Sequence, residues 1–357
     1  MISSLSGGGA EKSIAQLANI FSKKEDVSLL TLCGSDNPIN YRLSPNVKLI
    51  HAGVASSIQN KIFSLTSLKR ILHLRKIIKN EKPEIVISFV EKTNIFILIS
   101  LIFSQIQVIV CERTVPLVHD IGFFWNFLRR VFYPFARFVV FQTKFSRKQL
   151  RWVKDENSKV IPNFLLPLKK SKTSRKKRII TVGRLSKEKD QKIIVQAFAF
   201  LNQKYPDWEL LFIGDGPERE FIEKEISKYS LEKSVKILGW KKDPHKIITE
   251  SEIFVLTSKF EGFPNALMEA MALGCACIST DCPAGPREII QDGENGILIP
   301  VGDINSLSLN IERLIKEPKF RRRLGKNAQK VGTIFSIDKI LQDWENLFYA
   351  VNKPIKF

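Results

Sequence analysis

At 357 residues, 44% hydrophobic and 26% charged, the chain is too apolar for a disordered protein and long enough for two domains with separate cores. Its net charge is +20, and residues 1–170 carry most of the excess, with 25 Lys and Arg against 11 Asp and Glu. Such a balance favours an anionic partner, yet no helix-turn-helix or RNA-recognition signature accompanies it, which sets nucleic acid aside. The five cysteines show no C-x-x-C spacing, so neither a disulfide framework nor a zinc site is suggested and a reducing cytoplasm fits best.

In chain order, Gly7, Gly8 and Gly9 open a helix predicted to run to about Phe21. Glycines ahead of a helix let backbone N–H groups approach a phosphate. A phosphate loop of this type is normally fed by a strand, and only residues 1–6 precede this one. The expectation is that Met1 is an internal start, that roughly five to eight residues of a first strand are absent, and that a central position of the first sheet is empty or poorly filled.

Further strands are predicted at 27–32, 85–89, 107–111 and 138–142, with amphipathic helices between them. The helix over 67–80 alternates an apolar stripe with five basic residues, and reads either as an ordinary packed helix or as a face near acidic lipid headgroups. The run 95–103 is too short to span a bilayer and reads as a buried helix feeding the next strand. His119, beside Asp120 in a loop, is a candidate cleft residue, whereas His51 and His245 have no partner pattern.

Residues 169–178 form a polar, basic break. The expected organisation is a first domain over 1–168, a linker over 169–178, a second domain over 179–335, and a C-terminal helix over 336–357 crossing back to the first. In the second half, strands at 178–182, 209–213, 235–238 and 253–256 alternate with helices, the pattern of parallel sheets covered on both faces. Two doubly wound domains are expected to face each other across a cleft at the carboxyl ends of their strands.

The loop 183–190 carries Gly183, Arg184 and Lys189; an Arg fork and a Lys point charge suit a diphosphate, although a basic loop also reads as solvated surface. Residues 214–217 read as a tight turn. The most informative stretch is 261–269, which puts Glu261 in a loop and Glu269 inside a helix with Pro264 in its first turn and Gly274 at its end. It offers N–H donors for an anion and carboxylate acceptors for hydroxyls, the two kinds of partner a phosphorylated sugar carries.

Together these residues resemble the retaining glycosyltransferases of family 4, whose GT-B fold joins two Rossmann-like domains. The resemblance covers nearly the whole chain: segments 6–11, 85–89, 160–163, 183–189, 238–240, 281–290 and 295–300, and two glutamates separated by seven residues. It implies that Arg184 and Lys189 bind the diphosphate of a nucleotide sugar, uridine being favoured over guanosine, and that Gly8, Gly9 and Gly183 approach it. It further implies that Glu261 contacts the transferred sugar, with Gly262, Phe263, Pro264, Asn265, Ala266 and Leu267 alongside. Glu269 would hold the ribose, and Gly239 and Trp240 would line the base.

Where many members carry a His at the end of a first-domain strand, this chain has Arg113, a candidate acceptor-side residue with His119. No metal is implied, and the absence of an Asp-x-Asp pair agrees. The implied reaction moves a hexose or N-acetylhexosamine to a glycan, lipid-linked, in cell-surface polysaccharide biosynthesis. The implied setting is the cytoplasm at the inner membrane face, with the basic first domain near anionic lipid. The alternatives are a nucleotide-sugar 2-epimerase of the same fold, a truncated relative that binds donor without turnover, and, more remotely, a basic nucleic-acid-binding protein.

Overall fold

β-Branched runs between glycine-punctuated loops become strands here because both faces of each sheet are covered, so nearly continuous apolar segments are accommodated. The computed structural model describes residues 1–54, 65–168 and 174–351, with backbone only for 65–67. The chain divides into one unit of residues 1–162 and 342–357 and a second of residues 163–341.

The first unit contains α1 (Gly9–Phe21), β1 (Val27–Thr31), β2 (Val47–His51), α2 (Leu65–Glu81), β3 (Ile85–Phe89), α3 (Glu91–Leu101), β4 (Gln107–Cys111), α4 (Phe123–Phe132), β5 (Phe138–Phe141), α5 (Lys144–Gln149) and β6 (Ser158–Val160). β1 pairs with β2, and β3, β4, β5 and β6 pair in that order, all parallel. All four residues of β5 are buried.

The strand position ahead of the glycine loop, expected to be empty or poorly filled, is held by Met1–Ser3. Ile2 N donates to Leu30 O at 3.1 Å and Leu32 N to Ile2 O at 3.0 Å, while Phe89 N donates to Met1 O at 3.0 Å. The segment therefore joins β1 to β3, because buried backbone groups on both neighbours need partners and Ile2, fully buried, suits the core. The Met1 amino group donates to Ile87 O at 2.5 Å, and desolvation pulls its pKa down to about 5.

The second unit contains β7 (Lys176–Val182), α6 (Lys192–Asn202), β8 (Glu209–Ile213), α7 (Arg219–Lys228), β9 (Val235–Ile237), α8 (His245–Thr249), β10 (Ser251–Leu256), α9 (Asn265–Ala272), β11 (Ala276–Thr280), α10 (Gly285–Ile289), β12 (Ile297–Ile299), α11 (Ile304–Lys316), α12 (Pro318–Ala328) and α13 (Val331–Ile334). α14 (Ile337–Val351) follows, and its residues from Gln342 onward belong to the first unit. There Trp344 is buried, Phe348 packs on Phe21 of α1, and Arg137 donates to Ala350 O at 2.9 Å.

The second sheet runs β12-β11-β10-β7-β8-β9, entirely parallel. Its first strand thus lies beside its fourth, the doubly wound order whose reversal point opens a crevice at the carboxyl ends. Alternate residues of β10 feed the two cores, Ile253 and Val255 on one face and Phe254 and Leu256 on the other. β7 begins at Lys176, inside the expected basic linker; 169–173 of that linker lie outside the described residues.

The loops after β7 and β8 touch. Gly214 has φ +144°, and a Cβ there would come within 1.8 Å of Gly183 O. Only glycine permits this approach. Gly214→Ala is therefore expected to lower the unfolding free energy of the second unit by about 2 kcal/mol; urea unfolding with an unchanged midpoint would show that the loops have room to part.

Candidate functional site

At the reversal point, the loop leaving β7 meets the loop leaving β10. Lys189 Nζ lies 2.5 Å from Glu261 Oε1, across 72 positions of sequence. The same oxygen accepts from Ser258 Oγ at 2.6 Å, and the Glu261 side chain is only 9% exposed. Its other oxygen has no hydrogen-bond partner among the described residues, which leaves acceptor capacity for an incoming group.

The surroundings fix both partners. Thr257 Oγ1 donates to Lys189 O at 2.9 Å, Lys259 N donates to Glu188 O at 2.8 Å, and Thr280 Oγ1 donates to Ser258 O at 2.6 Å. Glu261 also bridges to Ala284, whose φ of +77° is costly for a non-glycine residue. Asp190 has φ +47°, and its carboxylate lies 3.7 Å from Lys259 Nζ. Burial raises the pKa of Glu188, but the hydrogen bond from Ser186, its backbone contact and nearby Lys189 and Arg184 outweigh it and hold the carboxyl below the usual range.

Arg184 is exposed, and its carbonyl accepts from Gln191 Nε2 at 2.8 Å. Among the described residues its guanidinium has no ion-pair partner, whereas the Lys189 ammonium is paired with Glu261. Gly183 N donates to Ile213 O, and Gly214 N donates to Gly239 O, both at 2.9 Å. Gly239, at φ +68°, thus sits against the loop after β8, followed by a half-exposed Trp240.

Glu261 lies in the loop and Glu269 inside α9. Phe263 and Leu267 are buried, Phe263 packing edge-on against Phe335. Gly262 O and Pro264 crowd Gly285, which pins the turn that leads into α9, while Asn163 Nδ2 donates to Asn265 Oδ1 at 2.7 Å. Ala266 is partly buried against the same core. His245, read from sequence as lacking a partner pattern, lies between two carboxylates: Nδ1 is 2.8 Å from Asp243 and Nε2 is 3.3 Å from Glu269. His51 likewise has a partner, Thr31 Oγ1 at 2.8 Å.

In the first unit Gly8 and Gly9 are exposed, and Gly8 N and O both bond the Tyr41 hydroxyl, at 2.7 and 2.8 Å. The Glu11 carboxylate accepts from Gly7 N at 2.5 Å and from Ser4 Oγ. At the carboxyl ends of β3 and β4 a second cluster forms. Val90, at φ +76°, turns the chain sharply so that Glu91 starts α3. Glu91 is buried and takes His119 Nδ1 at 2.8 Å, so the partner of His119 is Glu91 rather than the adjacent Asp120, which caps Gly122 N at 2.7 Å.

Arg113 is not an open cleft residue: it is 9% exposed and lies 3.6 Å over the Phe89 ring, and burial brings its pKa down to about 10. Buried Glu112 accepts from Tyr133 Oη and lies 3.5 Å from Arg129, itself buried. The Glu91 hydrogen bond raises the pKa of His119 against the opposing effect of burial.

Comparison with known proteins decides what these sites belong to. Residues 7–165 match the model of Glycosyltransferase Family 4, and residues 167–331 match that of Glycosyl transferases group 1. The chain belongs to the family 4 glycosyltransferases. It is 27% identical to the N-acetylgalactosamine-N,N'-diacetylbacillosaminyl-diphospho-undecaprenol 4-alpha-N-acetylgalactosaminyltransferase of Campylobacter jejuni, over 96% of each chain. It is also 27% identical to a second alpha-1,4-N-acetyl-D-galactosaminyltransferase of that organism, over 98% of each. The crystal structure of Anabaena Alr3699/HepE in complex with UDP and glucose superposes with a TM-score of 0.80 over 98% of both chains at 18% identity. The glycosyltransferase thus has the GT-B fold of two Rossmann-like domains, and its activity is glycosyl transfer.

Sequence reasoning missed Thr257, Thr280, His245, Glu91 and Glu112, whose partners lie far along the chain, and Ser258, whose partner Glu261 is only three residues away in the same loop. For Glu112, burial pushes the pKa up to about 7, Arg129 opposing and Glu91 reinforcing. A carboxyl whose folded pKa is raised contributes stability below its unfolded pKa near 4.5, and this is lost as pH rises through about 7. The glycosyltransferase is therefore expected to lose stability relative to Glu112→Gln between about pH 4.5 and 7. Urea unfolding of both proteins at stepped pH checks this; parallel curves would mean that Glu112 stays ionised.

Proposed function

We propose that the enzyme transfers a hexose or N-acetylhexosamine from a nucleotide diphosphate sugar to a lipid-linked glycan acceptor, with retention of anomeric configuration and without a metal. The observation that carries this reading is the Lys189–Glu261 pair at the reversal point of the second sheet, with one Glu261 oxygen still available. Lys189 has three ammonium protons and spends one on Glu261, so two remain for a diphosphate beside the unpaired guanidinium of Arg184. Glu261 binds hydroxyls of the transferred sugar alongside Gly262, Pro264 and Asn265, and Glu269 binds those of the ribose. Gly239 and Trp240 line the base, and Gly183 approaches the phosphates.

In the reaction the bond from the anomeric carbon to the β-phosphate oxygen breaks, and a bond to the acceptor oxygen forms on the same face. The acceptor proton passes to a phosphate oxygen. Negative charge grows on the leaving diphosphate, so the two side-chain cations lower the barrier more than they stabilise the ground state. Arg113 and His119 serve the acceptor side, Arg113 from within the unit and His119 from its surface. Supporting the acceptor class, both Campylobacter relatives are named for transfer to undecaprenol diphosphate-linked glycans. Supporting a uridine donor, solved neighbours hold UDP or UDP-glucose. The enzyme works at the cytoplasmic membrane face, in cell-surface polysaccharide biosynthesis; among the described residues no helix is long and apolar enough to cross a membrane.

The test is incubation with UDP-N-acetylhexosamines and UDP-hexoses together with an undecaprenyl diphosphate-linked glycan, with and without EDTA. An α-linked product is expected at equal rates in both, and Glu261→Gln and Arg184→Ala are each expected to lower kcat by about 10²-fold or more. Isomerised donor in the absence of acceptor would replace this reading with an epimerase. A rate abolished by EDTA, or variants within threefold of wild type, would remove the roles given to the two cations and Glu261.

A further inference from the structure

α4 is apolar on two sides: Leu128 is buried in the core of the first unit with Trp125 and Phe132 packed against it, and further large apolar residues face solvent. Its inward side carries Arg129, which is 2% exposed and donates to Pro116 O at 2.9 Å and to Asn126 while lying against Glu112. Its outward side carries Phe123, Phe124, Phe127 and Val131, and Phe135 lies in the short turn that follows. Phe123 is 90% exposed, Phe127 55% and Phe135 58%. Positions 123, 127 and 131 recur every fourth residue, so these exposed side chains form one stripe along the helix, and exposed Phe135 follows in the short turn after it. A contiguous aromatic stripe turned to water is costly and marks an interaction surface rather than ordinary scatter.

Cations on α4 itself and on α5, whose Gln149 accepts from Leu117 N ahead of α4 at 2.9 Å, identify the partner. Arg130 is exposed beside the stripe, and Lys144, Lys148 and Arg151 are exposed on and just after α5, which follows the next strand of the same sheet. A second copy of the chain would bring these like charges against themselves, whereas an anionic lipid surface satisfies both the apolar stripe and its basic border. α2, the basic helix that reads from sequence either as an ordinary packed helix or as a face near acidic lipid, buries Leu74 and Ile78 and packs Ile71 and Ile77 on the core, while Leu68 and Leu72 are exposed.

We propose that the α4 stripe is the membrane-docking surface of the enzyme, inserting Phe123, Phe127 and Phe135 into the interface of an anionic leaflet while Arg130 and the α5 cations contact headgroups. This rests on the proposed action at a membrane and names the surface that performs it.

The experiment is flotation of the full chain with phosphatidylcholine vesicles containing or lacking about 30% phosphatidylglycerol, an anionic lipid whose surface attracts basic segments. It is paired with transfer to a short-chain, water-soluble acceptor. Wild type is expected to float with the anionic vesicles and to do so less at high salt. A Phe123→Ser/Phe127→Ser/Phe135→Ser variant is expected to lose flotation about tenfold while its thermal midpoint and its kcat on the soluble acceptor stay unchanged. Equal flotation of the variant, or wild type that ignores anionic vesicles and elutes as a dimer dispersed by these substitutions, overturns the proposal. Absence of transfer by either protein, with the difference in flotation intact, would instead fault the proposed reaction and leave the docking surface standing.

Discussion

β7 and β10 lie side by side, and the Lys189–Glu261 contact depends on that pairing. The sheet joins them in parallel with Ile179 opposite Ile253 and Ile180 opposite Phe254, so their carboxyl ends release two loops at one place. Burial of Ile179 and Ile253 on one face and Ile180 and Phe254 on the other fixes the register, since a slip by one residue would exchange the faces. Around this junction the sequence spends its special backbone positions: Gly214 against Gly183, Gly285 against Pro264, and the left-handed Ala284 beside Glu261. The apolar core thereby holds a charged pair that exposed side chains could not hold for themselves.

The first unit solves a different problem. It buries Glu112, Arg129 and Arg113 near the ends of β3 and β4, where desolvation costs several kcal/mol per ion unless partners are well placed. Tyr133 donates to Glu112, Arg129 donates to Pro116 O and Arg113 lies over the Phe89 ring, while the second Glu112 oxygen is buried with no hydrogen-bond partner among the described residues; His119 is the member that reaches the surface. Such a partly satisfied arrangement contributes orientation more than stability, and the strained Val90 turn beside it fits a site held in shape by its surroundings.

Much of the second unit was legible in the sequence. Runs such as 209–213 and 253–256, bounded by glycine or polar turns, are the strands β8 and β10, and the strand-loop-helix pattern around Glu261 and Glu269 is present. The strands β2, β6, β11 and β12 were not; β6 and β12 are only three residues long, which leaves little period to detect, although β9, equally short, was legible. Met1–Ser3 escaped for a similar reason: its pairing is dictated by open backbone groups on β1 and β3, not by its own composition. Side-chain partnerships were least visible. Glu91 with His119, His245 with Glu269 and Lys189 with Glu261 are products of topology, and α4 shows that an apolar period gives a stripe without telling which way it faces.

The most direct measurement of the central claim is thermal unfolding of the second unit's transition with uridine and guanosine diphosphate sugars, in wild type and in Lys189→Met. A donor at 100 times its dissociation constant is expected to stabilise wild type by about 2.7 kcal/mol, with uridine nucleotides effective and the gain largely absent from Lys189→Met. If no nucleotide sugar moves the wild-type midpoint, or if Lys189→Met gains as much as wild type, the junction of β7 and β10 is not the donor site.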